Sequence, residues 1–139
     1  MSRSGYGDYD CDYPEIMAKN WRGAVLSAMR GRRGQAFLKE LDEALSAMPV
    51  KRLIKDALVK EADLIHEGEV CALGALGKAR GIDMSEIDPE DYEMVARAFG
   101  IAPAMAQEIM WMNDERYYAA TPEKRYADMQ AWIKENIKP

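Results

Sequence analysis

The chain has 139 residues, of which 48% are hydrophobic and 31% charged, with a formal charge of −5 and a pI near 5.0. The length fits one domain that can bury about two-thirds of the surface its unfolded chain exposes, so folding requires neither disulfide nor metal. The composition excludes a disordered chain, and the acidic balance argues against a dedicated nucleic-acid binder, which is usually strongly basic.

Residues 1–14 mix glycine, aspartate and three tyrosines without any period, which predicts a flexible N-terminal arm ahead of a single helical domain over 15–139. From Glu15 the three-and-four spacing of Met17, Trp21, Ala24, Val25, Ala28 and Met29 predicts a helix. Gly31 and Gly34 punctuate it, and a second stripe follows in Phe37, Leu41, Ala44, Leu45 and Met48, ended by Pro49. The short connection predicts an antiparallel helix pair. Residues 50–68 are ambiguous: Leu53, Ile54, Ala57 and Leu58 fit a helix, with a short strand as the alternative. The stretch from Val70 to Arg80 predicts a helix of small residues stopped at Gly81. Gly74 and Gly77 inside it cost helix stability, which makes sense if another backbone packs closely there.

The C-terminal half is punctuated more clearly. Asp88 with Pro89 and Asp91 predicts a capped helix whose apolar face is Tyr92, Val95, Ala96 and Phe99, stopped by Gly100. Pro103 opens a helix with Met105, Ala106, Ile109 and Met112 on its buried face, and Thr121-Pro122 opens a last one carrying Tyr126, Met129, Ile133 and Ile137. The expectation is an all-α compact bundle of about six helices, with the central segment 50–68 open.

No catalytic constellation stands out. His66 is the single histidine, and a zinc site needs three or four ligands. The segment around it misses the deaminase pattern, since Gly68 stands where a glutamate belongs. The glycines from Gly74 to Gly77 lack the spacing of a phosphate loop. No metal and no cofactor are therefore expected; an enzyme using Cys71 with His66 is the remote alternative. Cys11 and Cys71 form no CxxC pair and point to reduced thiols. No apolar run is of membrane-spanning length, and the first residues lack the apolar core of a signal peptide, so a cytoplasmic protein without membrane contact is expected.

Charge placement says more. Between Lys19 and Arg33 stand Arg22, Arg30, Arg32 and Arg33 with no acid, the last three at a glycine-flanked helix junction suited to an anion. Residues 83–93 instead carry six acids and no base. The stretch from Val95 to Ile109 has the packing positions of a helix-turn-helix, but its second helix is acidic, which disfavours DNA reading. Met110, Trp111 and Met112, with Tyr117 and Tyr118, offer more large apolar groups than one helix face hides, and so a candidate partner or homodimer face.

Several motifs together resemble a family of short, functionally unassigned proteins encoded by tailed bacteriophages and prophages. They are Trp21-Arg22-Gly23-Ala24, Arg30-Gly31-Arg32-Arg33-Gly34-Gln35-Ala36-Phe37, Lys51-Arg52-Leu53-Ile54, Gly68-Glu69-Val70-Cys71-Ala72-Leu73-Gly74, Ile87-Asp88-Pro89, Phe99-Gly100-Ile101 and Asn113-Asp114-Glu115. The likeness runs from Trp21 to the Trp132 helix, with a longer stretch here between Ile54 and Gly68. The resemblance implies a phage accessory protein of the bacterial host cytoplasm and supplies no site. The resulting expectation is a non-enzymatic binder of a host or phage macromolecule, first of all a protein, that modulates a host process or counteracts a defence system. The alternative is nucleic-acid or nucleotide binding through Arg30–Arg33 with Lys51, Lys55 and Lys60.

Overall fold

A computed structural model of the chain describes residues 3–4, 14–60, 68–116 and 120–139, the side chains of 14–19 excepted. Six α-helices order the described residues: α1 (Pro14–Arg30), α2 (Arg32–Ser46), α3 (Ala72–Arg80), α4 (Tyr92–Phe99), α5 (Pro103–Trp111) and α6 (Pro122–Asn136). The expected mostly helical bundle is what forms. The predicted arm, apart from Arg3, Ser4 and Pro14, which opens α1, lies outside the described residues, as do His66, Tyr117 and Tyr118.

The helix ends follow local chemistry. Gly81 and Gly100 close α3 and α4 at φ 72°, a left-handed conformation that glycine adopts without a Cβ penalty. Thr121 caps α6 by accepting the Lys124 N–H at 3.2 Å, with Pro122 at the first helical position. The cap of α4 is Asp91, which accepts the Met94 N–H at 3.1 Å; the expected cap, Asp88, instead accepts the Glu90 N–H within the preceding turn. At the other end of α2, Lys51 Nζ reaches the Ser46 carbonyl at 2.7 Å, a cation against the negative end of a helix.

Helix α2 packs against α1, α3 and α6, and α5 against α1 and α4. Phe37 of α2 meets Phe99 of α4 edge to face, with ring centroids 6.5 Å apart. Leu38, Leu41, Leu45, Leu73, Leu76, Met105, Ile109, Met129 and Ile133 are fully enclosed in one continuous core. Every residue of α5 from Ala104 to Met110 is buried, Gln107 and Glu108 included. With Ala104–Met110 buried, the helix-turn-helix spacing here serves to pack α5 into the core.

The central segment departs from the favoured helix. Residues 51–58 run without regular structure into a two-stranded antiparallel ladder, β1 (Val59–Lys60) with β2 (Glu69–Val70), in which Val59 faces Val70. Its backbone bonds go to distant parts of the chain: Leu53 N–H to Pro122 O, Ile54 N–H to Val70 O, and Cys71 N–H to Leu58 O. Leu53 and Leu58 are buried as a helix would have buried them, but the hydrogen bonds come from tertiary partners. Gly74 explains itself at this point. A Cβ on it would overlap the Leu58 carbonyl oxygen, so the close backbone approach inferred from the small-residue helix is real.

Candidate functional site

Two arginine centres stand out, one at the surface and one in the interior. The outer one is the junction between α1 and α2, where Gly31 alone separates the helices. Gly34 lies so close to α1 that a Cβ would overlap the Ala28 carbonyl. Behind it, Gln35 donates to the Met29 and Asn136 carbonyls at 2.8 and 2.9 Å and accepts the Lys138 N–H at 2.8 Å. Lys138 Nζ donates to Arg30 O at 2.7 Å, which adds a fourth base to the junction. The start of α2 has no side-chain cap and no acid in its first turn. Its first backbone N–H groups and the helix dipole therefore present positive charge where Arg32 and Arg33 stand.

The arginines of this junction are exposed and unengaged. The chain has ten arginines. Arg3, Arg22, Arg52 and Arg80 are ion-paired; Arg125 donates to the Leu53 and Ala120 carbonyls; Arg116 lies over the Trp111 ring. Among the described residues Arg30, Arg32 and Arg33, with Arg97, have no side-chain hydrogen bond, ion pair or ring contact, so three of the four arginines without a described partner gather at one junction. Arg22, expected as part of the same patch, belongs elsewhere: its Nη1 bonds both oxygens of the buried Glu108, at 2.8 and 2.9 Å. The lysines do not extend the patch as a continuous stripe, since Lys51 is held at the end of α2 and Lys55 has its own interaction.

The inner centre was not legible in the sequence. A π-helical turn, Met112–Arg116, follows α5 and carries the consecutive residues Asn113, Asp114 and Glu115. Such turns insert a residue into the helical ladder and are frequent at functional sites. Asn113 accepts the Ala72 N–H at 3.1 Å and donates to Ile54 O at 2.9 Å and to Asp114 Oδ1 at 2.7 Å. Asp114 Oδ1 also accepts the Asp56 N–H at 3.0 Å. Asp56 has φ 64°, the one non-glycine among the described residues in the left-handed region, where local strain is stored. Arg3 closes the centre. Its Nε and Nη2 both bond the Asp114 carboxylate, the second at 2.9 Å. The side chains of Arg3 and Asp114 are 2% and 3% exposed. Burial works against the guanidinium charge, but the Cys71 sulfur and the Asp114 carboxylate outweigh it and raise the Arg3 pKa above its ordinary value.

Cys71 itself caps α3, its sulfur accepting the Gly74 N–H at 3.4 Å, and is 1% exposed. It is shut inside the core; His66, the other half of the expected nucleophile pair, lies outside the described residues. Among the described residues no cluster of histidine, cysteine, aspartate or glutamate is placed to hold a metal ion. A groove of about 740 Å³ between α2 and α3 is lined by apolar Ala44, Met48, Val50 and Ala75, and its Arg52 and Glu69 pair with each other at 3.6 Å. Lys78 also lines it.

The expected partner face at Met110–Met112 is corrected. Met110 is 0% and Met112 5% exposed, so both belong to the core, and Trp111 is half-buried. No helix among the described residues is long and apolar enough to cross a membrane. No family model matches the chain, and no curated protein or solved structure is similar to it.

Proposed function

We propose that this chain is a non-enzymatic accessory protein that acts by binding the acidic surface of another macromolecule, first of all a host or phage protein, through Arg30, Arg32 and Arg33. The observation that carries this reading is the gathering of three unengaged, exposed arginines at the uncapped start of α2. Guanidinium groups hold carboxylates and phosphates in fixed, often bidentate geometry, and the helix N-terminus adds partial positive charge at the same place. The net charge of −5 favours a compact contact over a long polyanion track, because the rest of the surface repels one. The phage setting, the host cytoplasm and a role against a host process or defence system rest on the family resemblance of the sequence.

The test is affinity capture from phage-infected bacterial lysate with the wild-type chain and with Arg30→Glu/Arg32→Glu/Arg33→Glu. One specific partner should be retained by the wild type and reduced at least tenfold by the variant, with unchanged circular dichroism. Equal capture by both removes the junction from the interface. If nucleic acid is what is captured, affinity will fall steeply with salt and survive protease treatment, which replaces the protein partner with the alternative reading.

A further inference from the structure

The inner centre is a built seat whose guest is the chain's own Arg3–Ser4 pair. The seat is assembled without that guest: Asp114 is aimed by the Asp56 N–H and by Asn113, and Asn113 is fixed by Ala72 and Ile54. The guest is recognised by three different chemical features. The Arg3 guanidinium takes the Asp114 carboxylate side-on. The Ser4 hydroxyl donates to Glu115 Oε2 at 3.0 Å, and the Ser4 carbonyl accepts from Gln107 Nε2 at 2.6 Å. Side chain, hydroxyl and main chain of an arginine-serine pair are thus each read by a separate group, and all of these contacts are polar.

The fit is incomplete. Gln107 Oε1 is buried and has no hydrogen-bond partner among the described residues, an acceptor on the seat left unmet. A buried polar group left unmet weakens the association it belongs to. A peptide that offered one more donor to Gln107 would hold the seat better than Arg3–Ser4 does.

We propose that the Asp114–Glu115–Gln107 seat is a recognition site for an arginine-serine segment of another polypeptide, and that Arg3–Ser4 occupies it as the competing internal ligand. The site is separate from the Arg30–Arg33 junction and does not depend on the reading given to it. Binding proceeds by exchange: the incoming guanidinium replaces that of Arg3 on Asp114, so the buried carboxylate is never left without its counter-charge.

The experiment uses a fluorescently labelled peptide of residues 1–6, Met-Ser-Arg-Ser-Gly-Tyr, titrated by anisotropy against the full chain and its Arg3→Ala variant. The variant is expected to bind it at least tenfold more tightly than the wild type, because the internal competitor is gone. The same peptide with lysine for arginine should bind at least tenfold more weakly, and adding Asp114→Asn to the variant should abolish binding. A folded Arg3→Ala chain that does not bind, or that binds the lysine peptide equally well, overturns the proposal. If Arg3→Ala does not fold alone, recovery of its helical circular dichroism on adding the arginine peptide supports the proposal, and failure to recover with excess peptide overturns it. Sedimentation separates the two sources of the segment. A wild-type dimer that dissociates in Arg3→Ala assigns the seat to the arm of a second copy; a monomer that binds the peptide assigns it to a different protein.

Discussion

The outer and inner centres use the same side chain to opposite ends. At the α1–α2 junction, Arg30, Arg32 and Arg33 are exposed and have no partner among the described residues; a guanidinium there costs little to keep and contributes little to folding. In the interior, Arg3 is enclosed with Asp114, where an ion pair gives little net stability but losing half of it leaves an uncompensated buried charge. The lesson is that counting arginines says nothing about their work. What decides is whether the protein has already supplied the counter-ion. Where it has, the arginine is committed to that counter-ion; where it has not, the arginine is available to something else.

That contrast can be broken most forcefully from the inside. Asp114→Ala removes the counter-charge of Arg3 and the acceptor of the Asp56 and Asn113 donors, so a loss of about 3–5 kcal/mol is expected in urea unfolding. A loss below ~1 kcal/mol would mean that the inner pair is not what ties the N-terminal residues to the core. The wall behind the centre is next. Gly74→Ala forces a Cβ into the Leu58 carbonyl and should cost roughly 1–3 kcal/mol by the same measurement, whereas the solvent-facing Gly23→Ala, with open space around it, should not destabilise.

A surface ion pair sits between the two extremes. Arg80 holds Glu40 through two hydrogen bonds of 2.6 Å, lies over the Phe37 ring and donates to Phe99 O, linking α3 to α2 and α4. The hydrogen bond from Arg80 is the main cause that lowers the Glu40 pKa below its ordinary 4.5. A carboxylate with a lowered folded-state pKa stabilises above its unfolded value, and that contribution disappears as the pH falls through the folded-state value. Glu40→Gln should therefore cost about 0.2–1 kcal/mol at pH 7, solvent screening included, and nothing at pH 2, as checked by thermal melts at the two pH values. The smallest effect on stability belongs to the outer centre: Arg30→Ala/Arg32→Ala/Arg33→Ala should change it by no more than ~0.5 kcal/mol.

How far the sequence carried depends on how local each cause is. Gly81, Gly100, Pro103 and Thr121-Pro122 mark helix ends through the backbone of their own turn, and all four are visible without tertiary information. Asp88 and Asp91 compete for one cap three residues apart, and choosing between them depends on the turn that precedes α4. The segment 51–58 has helical spacing but no regular backbone structure, because its partners are Pro122, Val70 and Asn113, far along the chain. The site divides the same way. The junction of Arg30, Arg32 and Arg33 was visible as a run of like charge between glycines. Arg22 reads as part of the same run, and the fold adds that it is paired with Glu108, 86 residues away. Arg3 looked like part of a loose arm for the same reason, its partner Asp114 being 111 residues distant. The motifs around Cys71 and Asn113-Asp114-Glu115 were conspicuous singly, and only the fold shows that they meet.

The division of labour between the two centres is tested most directly by measuring, on the same preparations of Asp114→Ala and Arg30→Glu/Arg32→Glu/Arg33→Glu, both the melting temperature and the capture of a partner from infected-cell lysate. The account predicts a crossed result: a large fall in melting temperature for the first variant, and for the second an unchanged melting temperature with capture reduced at least tenfold. A charge-reversed junction that melts normally and still captures its partner as the wild type does would contradict it.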